Sequence, residues 1–459
     1  MRVGFLPGGL PWRATRIAGC VLLLALLVFA RSAQAQLPRL PTVPGVGGLP
    51  GTVTDTVGRV ENTVGNAAGQ VDRLADVRRL RVDELLRTQR TSVERDPAGQ
   101  PILRAEVVSF DPTEAALDRA RAAGFQVARE RVLEGLDSRV VVLRAPEGMT
   151  TRRALTRLRA LDPQGAYDYN HIYLDSGVVA SGSETSSMAA APPASPVGSF
   201  KVGLVDGGVD VSHPVFKATS VHQYGCDGKS APTAHGTAVA SLLVGKADPF
   251  TGAAPGAELF AADVYCGLGN GGAADAVVDA IAWIARQHVA VINVSLVGPK
   301  NVLLENVVRL VIARGHIIVA AVGNDGPAAP PLYPASYPGV VGVTGVDAHR
   351  KVLVEACRGN QVKFAAPGAE MAAAELSPTF AVVRGTSFAA PIVAGLLAAS
   401  LHEPDKDAAE KAIGTLASQA IDLGSRGVDK TYGAGLVGDF VRSPAALALA
   451  SASGGSRPH

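Results

Sequence analysis

Arg384-Gly385-Thr386-Ser387-Phe388-Ala389-Ala390-Pro391 opens the run Ile392-Val393-Ala394-Gly395-Leu396-Leu397. The stretch reads as a sharp turn into a buried helix, with Ser387 at its entry and Pro391 in the first turn, where a missing N–H costs nothing. Backbone N–H groups at a helix start carry partial positive charge and can stabilise a developing oxyanion. A serine in that position is also an ordinary helix N-cap, so it does not assign chemistry alone.

Three other stretches supply what a serine nucleophile needs. Phe200-Lys201-Val202-Gly203-Leu204-Val205 is an apolar run of the kind that forms a buried parallel strand, and it delivers Asp206 to its C-terminal edge ahead of Gly207-Gly208. His235-Gly236-Thr237-Ala238-Val239-Ala240 opens a second apolar helix. His316-Ile317-Ile318-Val319-Ala320-Ala321 is a strand running into Val322-Gly323-Asn324-Asp325-Gly326, which offers a side-chain amide as a hydrogen-bond donor. A serine hydroxyl is a poor nucleophile at neutral pH, so it needs a base in reach and a group to orient that base. Alone, the histidine reads as a structural residue at a helix start and the aspartate as a turn former.

In this order, and with Gly252-Ala253-Ala254-Pro255, Val291-Ile292-Asn293-Val294-Ser295-Leu296, Tyr333-Pro334-Ala335 and Ala366-Pro367-Gly368 between them, these stretches resemble the subtilisin-like serine proteases, the subtilases. The likeness runs from about Phe200 to Phe440. It implies a doubly wound α/β fold with a mostly parallel sheet and the site at the strands' carboxyl ends. By resemblance Asp206, His235 and Ser387 form the triad, and Asn324 donates to the oxyanion. Substrate would pair with an edge at Ser295-Leu296-Val297-Gly298 and with another around Gly269-Asn270-Gly271. Gly323 is a further expected substrate-binding residue, and Leu332 would lie at the floor of the primary specificity pocket. Val297 and Leu332 stand where the family usually has glycine, which implies a shortened pocket and a preference for small residues before the cut. Gly207 replaces the family's usual hydroxyl residue. The 245–251 segment lacks the donors of the calcium loop found in some relatives, so no metal and no cofactor is carried over.

The chain has 459 residues, 47% of them apolar, enough for two or three domains. With 43 Lys and Arg against 41 Asp and Glu, the formal charge of +2 points to no nucleic acid or other polyanion. Arg13 and Arg16 precede an apolar run from Ile17 to Ala30, and Ala33-Gln34-Ala35 supplies a cleavage site, so residues 1–35 read as a signal peptide. The run is shorter than the roughly 20 residues of a membrane span. Removal of the leader takes Cys20 with it and leaves Cys226, Cys266 and Cys357; Cys226 and Cys266 flank the histidine segment and are the expected pair.

Residues 36–101 read as a Pro/Gly linker followed by a weak amphipathic segment at 53–74. Between 102 and 176 the periodicity gives strand, helix, strand, strand, helix, strand: a small α+β ferredoxin-like unit. Between a leader and a subtilase domain, that unit resembles the family's propeptide, an intramolecular inhibitor and folding aid. Residues 177–198 read as a flexible connector with the maturation site, 199–450 as the catalytic domain and 451–459 as a tail. The implied protein is a secreted or periplasmic serine endopeptidase made as a zymogen, acting on protein or peptide substrates and keeping no stable membrane anchor. The alternative is a non-enzymatic binding scaffold whose cleft stays blocked.

Overall fold

The computed structural model describes residues 78–180, 200–269, 271–376 and 378–445, all within one compact unit. The leader, the 53–74 segment, most of the 177–198 connector and the 451–459 tail lie outside the described residues. Residues 78–88 form helix α1, in a stretch to which the sequence reading gave no element. Val82 and Leu85, three apart on one face, bury against Ile172 and Leu174. Strand β1 (Val93–Arg95) then pairs antiparallel with β2 (Pro101–Phe110).

Helix α2 (Glu114–Ala122), β3 (Gln126–Leu133), β4 (Ser138–Arg144), α3 (Thr151–Leu161) and β5 (Ala166–Asp175) follow. The strands lie in the antiparallel order β5-β2-β4-β3. Side chains alternate across this layer with period two. Val107, Val141 and Leu143 face α2 and α3 through Leu117 and Leu155. Val108, Val140 and Val142 face the opposite way, into the core of the larger part of the chain.

That larger part begins with β6 (Val178–Ala180) and β7 (Lys201–Asp206), then β8 (Val221–Tyr224), α4 (Ala234–Val244), β9 (Glu258–Asp263), β10 (Gly271–Ala273) and α5 (Ala274–Arg286). It continues with β11 (Val291–Val294), β12 (Leu296–Val297), α6 (Val302–Ala313), β13 (Ile317–Ala321), β14 (Val341–Val346) and β15 (Val362–Pro367). Strands β16 (Ala369–Ala374) and β17 (Phe380–Arg384) lead to α7 (Thr386–Ala398) and α8 (Lys406–Ser418). Seven strands form one parallel sheet in the order β15-β14-β13-β11-β7-β9-β8.

Both faces of that sheet are covered, which is why its strands are unbroken apolar runs. Val202, Leu204, Val319 and Ala321 meet α4 and α7 through Val239, Leu242 and Ile392. Val205, Ile292, Ile318 and Ala320 meet α5 and α6 through Val277, Ile281 and Val307. The chain builds outward from β7 on one side to β9 and β8, then returns to place β11 on its other side. The crevice at that reversal, beyond the carboxyl ends of the strands, is where a doubly wound sheet places its ligand. Cys226 and Cys266 form a disulfide, and Cys357 is free and buried. Among the described residues no helix is long and apolar enough to cross a membrane.

Candidate active site

Asp206 is the last residue of β7 and is fully buried. Its Oδ1 accepts from the Gly207 N–H at 2.7 Å and from the Tyr265 hydroxyl at 3.3 Å, and lies 2.9 Å from His235 Nδ1. His235 is the second residue of α4, a helix buried along nearly its whole length. Thr233 caps that helix by accepting the Gly236 N–H at 3.0 Å, which fixes where the imidazole leaves the backbone. Burial opposes charge on His235, but the adjacent Asp206 carboxylate, with Asp175 behind it, outweighs burial and raises the imidazole above its ordinary value.

Ser387 is the second residue of α7 and is buried. Gly385, just before the helix, has φ 142°, and a Cβ there would stand 2.6 Å from the Ser176 carbonyl oxygen and 2.8 Å from Asn324 Nδ2, so only glycine fits the turn. Asn324 follows β13; its Oδ1 accepts the Thr386 N–H at 3.2 Å, which aims its Nδ2 at the Ser176 carbonyl, to which it donates. The four expected residues thus converge at one edge of the sheet.

The cleft between them is filled by the chain itself. The end of β5 is inserted antiparallel between two short strands, with Leu174 opposite Gly271 on β10 and opposite Val297 on β12. Past Ser176 and Gly177 the backbone continues into β6, which pairs with β17 through Val178 opposite Arg384 and Val179 opposite Val383. Ser387 Oγ lies 2.6 Å from Ser176 Oγ, accepts the Ser176 N–H at 3.2 Å and donates to the Ser295 carbonyl at 3.3 Å. His235 Nε2 and Asp206 Oδ2 are buried with no hydrogen-bond partner among the described residues. The serine is therefore held by the inserted strand and not by the histidine.

Of the expected substrate-contacting residues, Leu296 and Val297 pair with Asp175 and Leu174. Ser295 bonds the backbone of Ser387, donating through Oγ to its carbonyl at 3.0 Å. Gly298 pairs with Tyr333, and a Cβ on it would stand 2.6 Å from the Tyr173 ring. Leu332 packs on Gly323, where a Cβ would come 2.5 Å from its Cδ1. Two expectations change. The second edge is Gly271–Ala273, displaced from the expected 269–271, and Asn270 lies outside the described residues. The connector expected to be loose from 177 is held over Val178–Ala180, because β17 offers it an unpaired backbone edge. Sequence reasoning also missed α1, whose Arg78 reaches the Val297 carbonyl at 3.3 Å and Asp325 at 3.4 Å. The signal for it was the run of Leu, Arg and Glu from Arg78 to Arg87, residues that favour a helix.

Comparison with known proteins agrees with this architecture. Residues 198–435 match the model of the subtilase family. Subtilisin DY of Bacillus licheniformis is 33% identical over 249 residues, which make up 52% of this chain and 88% of that protein. Subtilisin E of Bacillus subtilis is 30% identical over 251 residues, 52% of this chain and 64% of that protein. The crystal structure of fervidolysin from Fervidobacterium pennivorans, a keratinolytic enzyme related to subtilisin, superposes with a TM-score of 0.62 at 21% identity, over 78% of this chain and 62% of that one, and so shares the fold. With the family's domain spanning about half of its length and its sheet built in the same doubly wound manner, the chain belongs to the subtilase family of serine endopeptidases.

Proposed function

We propose that this endopeptidase is exported as a zymogen in which residues 102–176, with their ferredoxin-like order of strands and helices, act as a propeptide, and that it first cuts its own Ser176–Gly177 bond. The observation that carries this reading is the chain running through its own cleft, with the Ser176 carbonyl on Asn324 and the Ser387 hydroxyl against the same residue. Ser387 is the nucleophile, His235 the base, Asp206 the group that orients the base, and Asn324 with the Ser387 N–H the oxyanion donors.

In the first step the Ser387 Oγ–carbon bond forms at the Ser176 carbonyl and the Ser176–Gly177 carbon–nitrogen bond breaks. His235 takes the Ser387 proton and gives it to the Gly177 amine. Water then hydrolyses the ester, leaving a carboxylate on Ser176 and restoring the serine. For attack to begin, Ser387 Oγ must leave Ser176 Oγ and turn to His235 Nε2, so the intact chain is a restrained state. Ser176 is itself small, in keeping with a pocket narrowed near Leu332 and with a preference for small residues before the cut. The mature enzyme would consist of residues from 177 onward, acting on proteins or peptides in the secreted or periplasmic space.

Intact mass of the purified chain beside a Ser387→Ala version tests this reading. Wild type is expected to lose the residues before Gly177 while the variant keeps them. Retention of full mass by both, with no digestion of casein by either, would favour the blocked-scaffold reading instead.

A further inference from the structure

The helix that sequence reasoning missed carries a residue aimed at the bond to be cut. Arg81 on α1 donates through Nη1 to the Asp175 carbonyl at 2.9 Å and through Nη2 to the Gly177 carbonyl at 2.7 Å. Nη1 also contacts the Asp175 carboxylate, which is 7% exposed. In an extended chain the carbonyls of residues i and i+2 point to one side and that of i+1 to the other. Arg81 thus grips the carbonyls of 175 and 177, while Asn324 takes that of 176 from the opposite side.

We propose that Arg81 is a positioning residue for self-cleavage, a planar fork that holds the backbone on both sides of the Ser176–Gly177 bond so that the Ser176 carbonyl stays on Asn324. The proposal rests on the zymogen reading above and names what aligns its scissile bond. A guanidinium suits the task because its donors are fixed in one plane and can bridge two carbonyls at once, whereas an ammonium is a point charge on a flexible stem. The helix is held over the cleft independently of Arg81: Val82 and Leu85 bury on Ile172 and Leu174, and Arg78 bonds the Gln100 side chain at 3.2 Å. Alignment of reacting groups is worth orders of magnitude in rate, so loosening one side of the bond should be visible. Breakage of the bond removes the Gly177 carbonyl from the fork and leaves Arg81 on Asp175 alone.

The full chain carrying Arg81→Gln or Arg81→Lys is compared with wild type by following intact mass over time. Arg81→Gln is expected to slow self-cleavage at least about tenfold and Arg81→Lys to recover only part of the loss. Once cut, all three release the same polypeptide from Gly177 onward, so their activity on a short peptide must agree. Thermal unfolding in the Ser387→Ala background separates alignment from folding: Arg81→Lys keeps the charge beside the nearly buried Asp175 and should leave that midpoint nearly unchanged, whereas Arg81→Gln loses the ion pair and lowers it. Cleavage of Arg81→Gln at the wild-type rate, full recovery by Arg81→Lys, or a large drop in the midpoint of the chain carrying both Arg81→Lys and Ser387→Ala each overturns the proposal. If wild type itself is never cut, the zymogen reading fails first.

Discussion

Gly177 has no room for a side chain, because a Cβ there would stand 2.4 Å from Cε2 of Phe388, a ring that is fully buried and cannot swing away. In the proposed self-cleavage, the residue after the cut is therefore selected by the residue after the nucleophile. Gly177→Ala is expected to slow self-cleavage by about 10²-fold, the cost of a misplaced reacting group, and Phe388→Ala added to it should restore part of the rate; a Gly177→Ala chain that matures at the wild-type rate in an intact-mass time course sinks this reading. Asp175 acts on the base in a different way. In the proposed mechanism His235 must be neutral to accept the serine proton, so the rate falls as pH drops through its pKa, and the upward shift moves that fall to higher pH than an ordinary histidine would give. Asp175 adds to the upward shift and Arg81 opposes it. Asp175→Asn removes the first and leaves the second in place, so the histidine pKa falls. Self-cleavage rates across about pH 5 to 8 should show the acidic limb moved to lower pH, whatever happens to the maximum rate. An unmoved or raised limb contradicts the assignment.

At the scale of elements, the antiparallel layer grips the parallel sheet through a buried charged cluster. Arg129 on β3 bonds Glu106 on β2 at 3.0 and 2.6 Å and Asp275 at the start of α5 at 3.0 Å. Asn170 on β5 donates to both carboxylates, at 3.0 and 2.8 Å. Glu106 and Asp275 are nearly inaccessible, so removal of their shared cation leaves two carboxylates in low dielectric with the Asn170 amide between them and only Arg144, 3.7 Å from Glu106, as a remaining positive charge. Arg129→Ala in the Ser387→Ala background is expected to lower stability by about 2–4 kcal/mol, less than for a wholly enclosed cation, since 34% of the Arg129 side chain meets solvent. Urea unfolding measures this loss. In the active chain the same change should shorten the lag between cleavage and peptidase activity, because the cut segment leaves sooner. A stability within about 0.5 kcal/mol of the parent, the usual range of a surface substitution, would show that the cluster does not fasten the layer.

The whole molecule explains which parts were legible in advance. Asp206 and Asn324 follow apolar runs that end in a turn, and His235 and Ser387 open apolar helices after a turn; those changes are written locally, while the roles of the four came from their order and the family resemblance it carries. Helix α1 was missed because only Val82 and Leu85 bury, too few residues to set a period, and because what they bury against, Ile172 and Leu174, is far along the chain. Strand β6 was missed for the same reason: its three residues are a strand only because β17 lends them an edge. Non-local pairing also governs how the molecule folds. Gly203 at the centre of the sheet pairs with Phe260 on one side and Ile292 on the other, so the loops between must close before the sheet gains any pairing. The layer made by 101–175 bonds both helix starts, Asn170 accepting the Asp275 N–H at 3.3 Å and Asp168 the Val302 N–H at 2.9 Å, and in the propeptide reading these bonds ease that closure. A chain that begins at residue 177 is therefore expected to refold from urea at least about tenfold more slowly than the full Ser387→Ala chain. Far-ultraviolet dichroism after dilution reads both rates. Equal rates would mean that α5 and α6 find the sheet unaided, and would leave the segment before Gly177 with an inhibitory role alone.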